Sequence, residues 1–81
     1  MNVVEFAEYL VKGIVKEPDL VKVSEFEADD DIKILEILVP ESEMGRVIGK
    51  SGRTSTSIRT LIQAFALVNN MPKVKINIDA F

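Results

Sequence analysis

The sequence predicts an α+β fold in which three strands form a sheet and three helices pack on one of its faces. Three patterns support this fold class. Apolar residues recur at helical spacing near the N-terminus, apolar or alternating strand-like runs occur in the middle and at the end, and a second helical stripe lies between those runs. The predicted order is helix, strand, strand, helix, helix, strand. A chain of 81 residues is expected to form one domain, residues 1–81, with a modest core.

The first helix is predicted to be amphipathic and capped. Apolar residues at positions 3, 6, 7, 10, 11, 14 and 15 follow helical spacing. Asn2 is suited to cap the helix, and Glu5, three residues further on, completes a capping box. Pro18 then prevents the helix from continuing.

Two strands, residues 20–26 and Ile32–Val39, are predicted next. The second, IKILEILV, is apolar on both faces, with Leu35, Ile37 and Val39 on one of them, and is therefore expected to lie in the middle of the sheet. Three adjacent aspartates, residues 29–31, separate the strands. They are typical of a solvated turn, because a calcium site would need further oxygen ligands at spacings this sequence lacks.

Two helices joined by a short turn are predicted after Pro40. Acidic residues just beyond this proline suit the first turn of a helix that extends to about Ile48. A break at Gly49 is followed by a longer helix that starts near Gly52. Its core-facing stripe is predicted to contain Ile58, Leu61, Ile62, Phe65 and Val68.

The last element is predicted to be a strand. Asn69 and Asn70 suit a left-handed helix cap, and Pro72 prevents the helix from continuing. Lys73–Ala80 then alternates, with Val74, Ile76 and Ile78 expected to face the core.

The composition argues against an enzyme and against a metal or disulfide site. Histidine, cysteine and tryptophan are absent, which removes the commonest general base, the commonest metal ligand and any thiolate. No apolar run is long enough for a membrane span, and the acidic N-terminus does not resemble a signal peptide. We therefore expect a cytoplasmic protein without cofactor, metal or membrane association.

Charge is distributed unevenly along the chain. Residues 1–43 carry 12 acidic and 4 basic side chains, whereas residues 44–81 carry 1 acidic and 6 basic ones. No acidic residue occurs from 44 to 70, a segment with four basic residues. Either the charges are segregated by chance on a solvated surface, or a local anion site lies on a protein whose remaining, acidic surface repels anions.

The stretch GRVIGKSG, residues 45–52, partly matches a nucleotide-binding P-loop, but its spacing does not fit. The position that should carry the first glycine of that motif is Met44. A chain of this length also lacks the parallel sheet that a P-loop requires. We therefore do not expect a nucleoside triphosphatase.

Gly49 and Gly52 are instead predicted to form the joint between the two helices. Glycine accepts the backbone angles that such a turn demands. The N–H groups of residues 50–55 are expected to be partly unpaired at the start of the second helix, where a phosphate could bind. Lys50, Arg53 and Arg59 add positive charge nearby. The alternative is a plain helical hairpin whose glycines serve packing only.

The longer stretch VPESEMGRVIGKSGRTSTSIRTLI, residues 39–62, resembles the core of a KH domain: an apolar pair, Gly-x-x-Gly, and a helix with isoleucine anchors. With a helix and two strands before this core and one strand after it, nearly the whole chain resembles the type II, bacterial arrangement. It resembles the small stand-alone bacterial KH proteins of the KhpA family. One departure is the polar run of residues 55–57, where such proteins often carry apolar residues.

The resemblance implies binding of short single-stranded RNA through the Gly-x-x-Gly loop, in an RNA chaperone or post-transcriptional regulator. The implied phosphate contacts are Gly49, Lys50, Ser51 and Gly52. Groove residues would be Val47, Ile48 and Ile58, and flanking contacts Arg46, Arg53, Thr54 and Arg59. The family also implies a homodimer or a heterodimer with a larger KH-containing protein. The competing hypothesis is a protein-interaction or dimerisation module that keeps the fold but binds little RNA.

Overall fold

A computed structural model describes residues 1–29 and 31–81, and its first helix, α1 (Val3–Lys12), begins at the predicted capping box. The Glu5 N–H donates to the Asn2 side chain at 2.8 Å, and the Asn2 N–H donates to the Glu5 carboxylate at 3.0 Å. The helix ends earlier than its apolar stripe suggested, because Gly13, a poor helix former, follows as the C-cap.

The first two strands form an antiparallel hairpin. Strand β1 is Lys22–Asp29 and strand β2 is Ile32–Val39. Strand β1 starts and ends later than the predicted residues 20–26, because Pro18–Leu20 forms a 3₁₀ turn and pairing with β2 extends β1 to Asp29. The hairpin turn predicted at residues 29–31 includes Asp30, which lies outside the described residues.

The last strand, β3 (Lys73–Ala80), pairs with β2 in parallel. Within the described part of the chain, the sheet therefore has the order β1-β2-β3 with β2 in the middle, as predicted. The core face of β2 is buried along Leu35, Ile37 and Val39, and Val74 and Ile76 extend this buried face onto β3. The three predicted core positions of β3 alternate as expected, with Ile78 partly buried.

Two further helices, α2 (Met44–Ile48) and α3 (Arg53–Val68), complete the predicted order. A 3₁₀ turn, Glu41–Glu43, precedes α2. At the end of α3, Asn70 takes a positive φ of 54°, and the Met71 N–H donates to the Ala66 carbonyl at 2.9 Å. This left-handed ending confirms the predicted cap.

The buried line along α3 differs from the predicted stripe. Ile58, Ile62 and Phe65 do pack into the core, but Leu61 is 47% exposed and Val68 is 78% exposed. The buried positions instead run through Ser55, Ile58, Ile62 and Ala66. Small residues at both ends of this line bring the backbone of α3 close to its neighbours, whereas Leu61 turns towards α1.

Candidate nucleic-acid interface

The turn between α2 and α3 depends on Gly49. Its backbone angles, φ 77° and ψ 173°, lie in a region that is open to glycine alone. A Cβ placed on Gly49 would also lie 2.2 Å from the Thr54 Oγ1 and 2.9 Å from the Thr54 N. The first glycine of the motif therefore permits both the turn and the close approach of the first turn of α3.

The rest of the turn, Lys50–Gly52, is a single 3₁₀ turn with left-handed residues. Ser51 has φ 56° and ψ 26°, and Gly52 has φ 74° and ψ 12°. The Gly52 N–H donates to the Gly49 carbonyl at 3.1 Å, and the Arg53 N–H donates to the Lys50 carbonyl. Two of the N–H groups that were expected to be free are therefore already bonded, because the turn closes on itself.

The polar start of α3 is accommodated by hydrogen bonding. Ser55 is only 5% exposed, and its hydroxyl donates to the Gly52 carbonyl at 3.0 Å. This bond fixes the second glycine to the first turn of α3. The polar residue at this position thus stabilises the loop.

Exposed cations follow the loop and the helix after it. Lys50, Arg53 and Arg59 are exposed, and no carboxylate of residues 1–29 or 31–81 forms a salt bridge with them. Arg46 differs, because its Nε lies 3.5 Å from the buried Glu43 carboxylate. The structure therefore groups three of the four predicted cations on the loop and α3, and pairs the fourth with an acid.

A groove runs between α3 and the edge strand β3. Its volume is about 360 Å³, near the lower end of the range for ligand pockets. It is lined by Ile32, Arg59, Gln63, Lys73, Val74, Lys75 and Ile76. These residues include three cations and no acid. Arg59 connects the groove to the loop along one face of α3.

Most of this groove was not found from the sequence. Only Arg59 among its lining residues was a predicted site residue. The other wall comes from β3 and from Gln63, one helical turn beyond Arg59. Two patterns in the sequence pointed to these residues. Lys73 and Lys75 occupy the exposed positions of a strand predicted from its alternation, and Gln63 shares a helix face with Arg59 because the two are four positions apart.

The predicted apolar groove residues lie mainly in the core. Val47 has no exposed surface and Ile58 is 3% exposed, whereas Ile48 is partly buried. Ile58 borders a second cavity, between α1 and α3, rather than the groove beside β3. Val47 and Ile58 thus support the two helices that carry the loop.

This second cavity, of about 370 Å³, is mostly apolar. It is lined by Tyr9, Leu10, Gly13, Ile14, Thr54, Ser57, Ile58 and Leu61. Two of these, Tyr9 at 69% exposure and Leu61 at 47%, present large apolar surfaces to solvent. An apolar surface of this kind is typical of a contact with another macromolecule.

Two further kinds of site were sought in the part of the chain that the structure describes. No cluster of three or more carboxylate, histidine or cysteine side chains there could hold a metal ion. None of the helices there has the length and apolar character needed to span a membrane.

A Gly-x-x-Gly turn between two helices, packed on a sheet with this strand order, defines a KH domain in the type II arrangement. The chain belongs to the family described as KhpA/KhpB, KH domain, whose model matches residues 4–78. Membership of this family confirms the resemblance inferred from residues 39–62.

Comparison with curated proteins gives relatives that are named RNA-binding protein KhpA. The Thermotoga maritima protein is 45% identical over 60 residues, which cover 74% of this chain and 79% of that protein. The Chlamydia trachomatis protein is 39% identical over 75 residues, which cover 93% of this chain and 91% of that protein.

Solved structures share the fold at low identity. A structure of Aquifex aeolicus Era bound to GDP and AlF₄⁻ matches with a TM-score of 0.70 and 19% identity, over 98% of this chain and 30% of that chain. A structure of Era in complex with MgGDPNP and a 16S ribosomal RNA fragment matches with a TM-score of 0.65 and 20% identity, over 96% of this chain and 29% of that chain. These matches support the α+β KH architecture.

Proposed function

We propose that this chain, as one KH domain over residues 1–81, binds short single-stranded RNA through the loop and the groove beside it. The observation that carries this proposal is a set of three exposed cations on the loop and α3, Lys50, Arg53 and Arg59, which form no salt bridge with a described carboxylate. Arg59 also lines a groove whose lining contains two more cations and no acid. The RNA-binding names of the KhpA relatives support the same function.

The phosphate backbone would lie against the loop. Loops of this type contact the backbone of about four nucleotides. Gly49 and Gly52 would let the backbone of the RNA approach closely, while Lys50 supplies charge and the Ser51 hydroxyl a donor. Arg53 and Thr54 would add contacts from the first turn of α3. The helices that carry the loop would be held in place by the apolar residues Val47, Ile48 and Ile58. Arg46 would be a peripheral contact, because its guanidinium is shared with Glu43.

The bases would enter the groove between α3 and β3. From Gly52 to Gln63 the helix rises about 16 Å, which gives room for several nucleotides beside the loop. Ile32, which is 36% exposed, offers apolar surface to the bases, whereas Val74 and Ile76 form the buried floor of the groove. The side of β3 away from β2 also carries free strand-edge groups, and alternate residues of a strand direct their N–H and C=O groups to the same side. The Val74 carbonyl points to this side, because it accepts a hydrogen bond from Gln63 on α3. Ile76, two residues further on, therefore adds one backbone donor and one acceptor next to it.

The wider role that fits these properties is that of a cytoplasmic, non-enzymatic RNA chaperone or post-transcriptional regulator. A small binding surface of backbone contacts suits many RNAs rather than one, because phosphate contacts carry little sequence information. Crosslinking in cells, followed by sequencing of the bound RNA, would test this role. A broad set of single-stranded sites is expected, and a complete lack of crosslinked RNA would contradict it.

The binding itself is tested by fluorescence anisotropy with a labelled single-stranded hexamer and a duplex of the same sequence. The hexamer should bind, and the duplex should bind at least several-fold more weakly, because its bases cannot enter the groove. The logarithm of the affinity should fall with the logarithm of salt concentration with a slope no steeper than about −2, as expected for about three phosphate contacts on a single strand. Equal binding of hexamer and duplex would refute the proposed groove.

We also propose that the chain pairs with a second copy, or with a larger KH-containing protein, through the apolar cavity between α1 and α3. Exposed Tyr9 and Leu61 support this proposal. It is also the basis of the second candidate function, a protein-interaction module. Sedimentation at micromolar concentration should show a dimer that a Tyr9→Ser, Leu61→Ser variant loses while keeping its RNA affinity. A monomer for the unaltered chain would refute homodimerisation.

A further inference from the structure

Gln63 lies where α3 meets the edge of the sheet. Its Nε2 donates a hydrogen bond to the Val74 carbonyl, across the groove from one wall to the other. Both residues line this groove. Gln63 is thus part of the surface that faces a bound ligand, although its residue type gave no reason to single it out in the sequence.

This hydrogen bond fixes which way the amide points. A carbonyl oxygen can only accept, so the side-chain NH₂ of Gln63 must face Val74. Val74 uses one of the two Nε2 protons; at the other end of the amide, Oε1 can only accept, and it is the acceptor left for a ligand. The groove therefore presents a fixed acceptor next to the apolar side chains of Val74 and Ile76.

We infer that Gln63 makes the groove select bases that carry an exocyclic amino group. This inference rests on the proposed RNA-binding function. Cytosine and adenine each carry an amino donor, at N4 and N6, where uracil carries the acceptor O4. The amino group would donate to the Gln63 Oε1. A uracil that placed its O4 against Oε1 would set two acceptors against each other.

Cytosine and uracil provide the matched test, because the two pyrimidines differ in their pairing edge but hardly in size. The affinities of labelled C6 and U6 oligoribonucleotides are compared by fluorescence anisotropy. We expect the wild-type chain to prefer C6 by about 3- to 10-fold, the discrimination of roughly one hydrogen bond. The ratio of the two affinities cancels the contribution of backbone charge.

Two variants of the same position test the direction of the effect. Gln63→Ala removes the acceptor and should bring the ratio close to one, with less than about a 2-fold change in U6 affinity. Gln63→Lys replaces the amide with a group that only donates, so the ratio should shift in favour of U6. Ser57→Ala is the control on the same helix, because Ser57 faces the cavity towards α1 and its loss should leave the ratio unchanged.

The possible failures are distinct. If the wild-type chain binds C6 and U6 equally, or if the folded Gln63→Ala variant keeps the preference, the selectivity assigned to Gln63 is refuted while RNA binding stands. If neither oligoribonucleotide binds to the wild-type chain, both the proposed function and this inference are refuted. Circular dichroism of each variant establishes that the compared chains are folded.

Discussion

Replacing Lys50 and Ser51 together by aspartate tests the loop while preserving its fold. Both glycines remain, so the turn can form. Ser51 has a left-handed conformation, and aspartate is one of the side chains that tolerate this region. Lys50 and Ser51 are exposed, and the new carboxylates meet no buried surface. The variant should therefore have the circular dichroism spectrum and thermal midpoint of the wild type.

The expected loss of affinity follows from charge. The double substitution removes one positive charge and adds two negative ones at the place proposed for phosphate. The interaction energy between two unit charges about 4 Å apart is about 1 kcal/mol in water and about 4 kcal/mol at an effective dielectric constant of 20. Because the loop is exposed and salt screens it, the lower figure applies. The affinity for single-stranded RNA should fall by about 10- to 1,000-fold, similarly for all sequences.

A matched control separates local from overall repulsion. Lys22 and Ser24 are exposed on β1, and their replacement by aspartate gives the same change in composition and net charge. This variant should lose less than about 3-fold in affinity, because its charges act through screened solvent. If both double variants bind like the wild type, or if both lose affinity equally, the loop is not the phosphate site.

Two further substitutions test the structural basis of the loop and of its support. Gly49→Ala should destabilise the fold more than Gly52→Ala in urea unfolding. Both positions have a positive φ, but a Cβ at Gly49 would clash with Thr54, whereas one at Gly52 would only reach the Ser55 Oγ at 4.0 Å; equal effects would contradict the close packing. Glu43→Ala should cost about 1–3 kcal/mol, because the buried carboxylate accepts the Glu17 N–H at 2.8 Å, and Glu43→Gln should cost less; no loss in the alanine variant would show that this bond is dispensable.

The order of elements could be predicted because local patterns and breakers agreed. Ile32–Val39 and Lys73–Ala80 were located to the residue, since each is bounded by turn or proline residues and has strong strand periodicity. Strand β1 was displaced because its ends depend on pairing with β2, which reaches Asp29 through a register shift. Glu25 and Glu27 give this strand little apolar pattern of its own.

The helix faces and the groove needed tertiary information. Leu61 and Val68 fit a helical stripe as well as Ala66 does, and only the positions of α1 and the sheet decide which residues are covered. The loop could be located from Gly49 and Gly52 because backbone geometry acts locally. The opposite wall of the groove comes from β3: the alternation of this strand marks Lys73 and Lys75 as exposed, but only the folded structure places them beside Arg59.

The charge distribution predicts how RNA reaches a protein of net charge −3. Acidic residues concentrate on α1, β1 and the segments around them, whereas the loop and groove carry cations. At physiological salt the Debye length is about 8 Å, so a strand in contact with the loop is largely screened from the acidic half. At low salt the acidic half repels an approaching strand and offsets the attraction of the loop.

The association rate should therefore change little as the salt concentration rises. Dissociation should become faster, because the ion pairs between the protein and the RNA phosphates weaken. Stopped-flow anisotropy between about 0.05 and 0.3 M salt should show an association rate that varies by less than about 3-fold. The fall in affinity should appear in the dissociation rate. An association rate that drops tenfold or more over this range would mean that long-range attraction guides the RNA. In that case the acidic half of the chain would not offset the field of the loop.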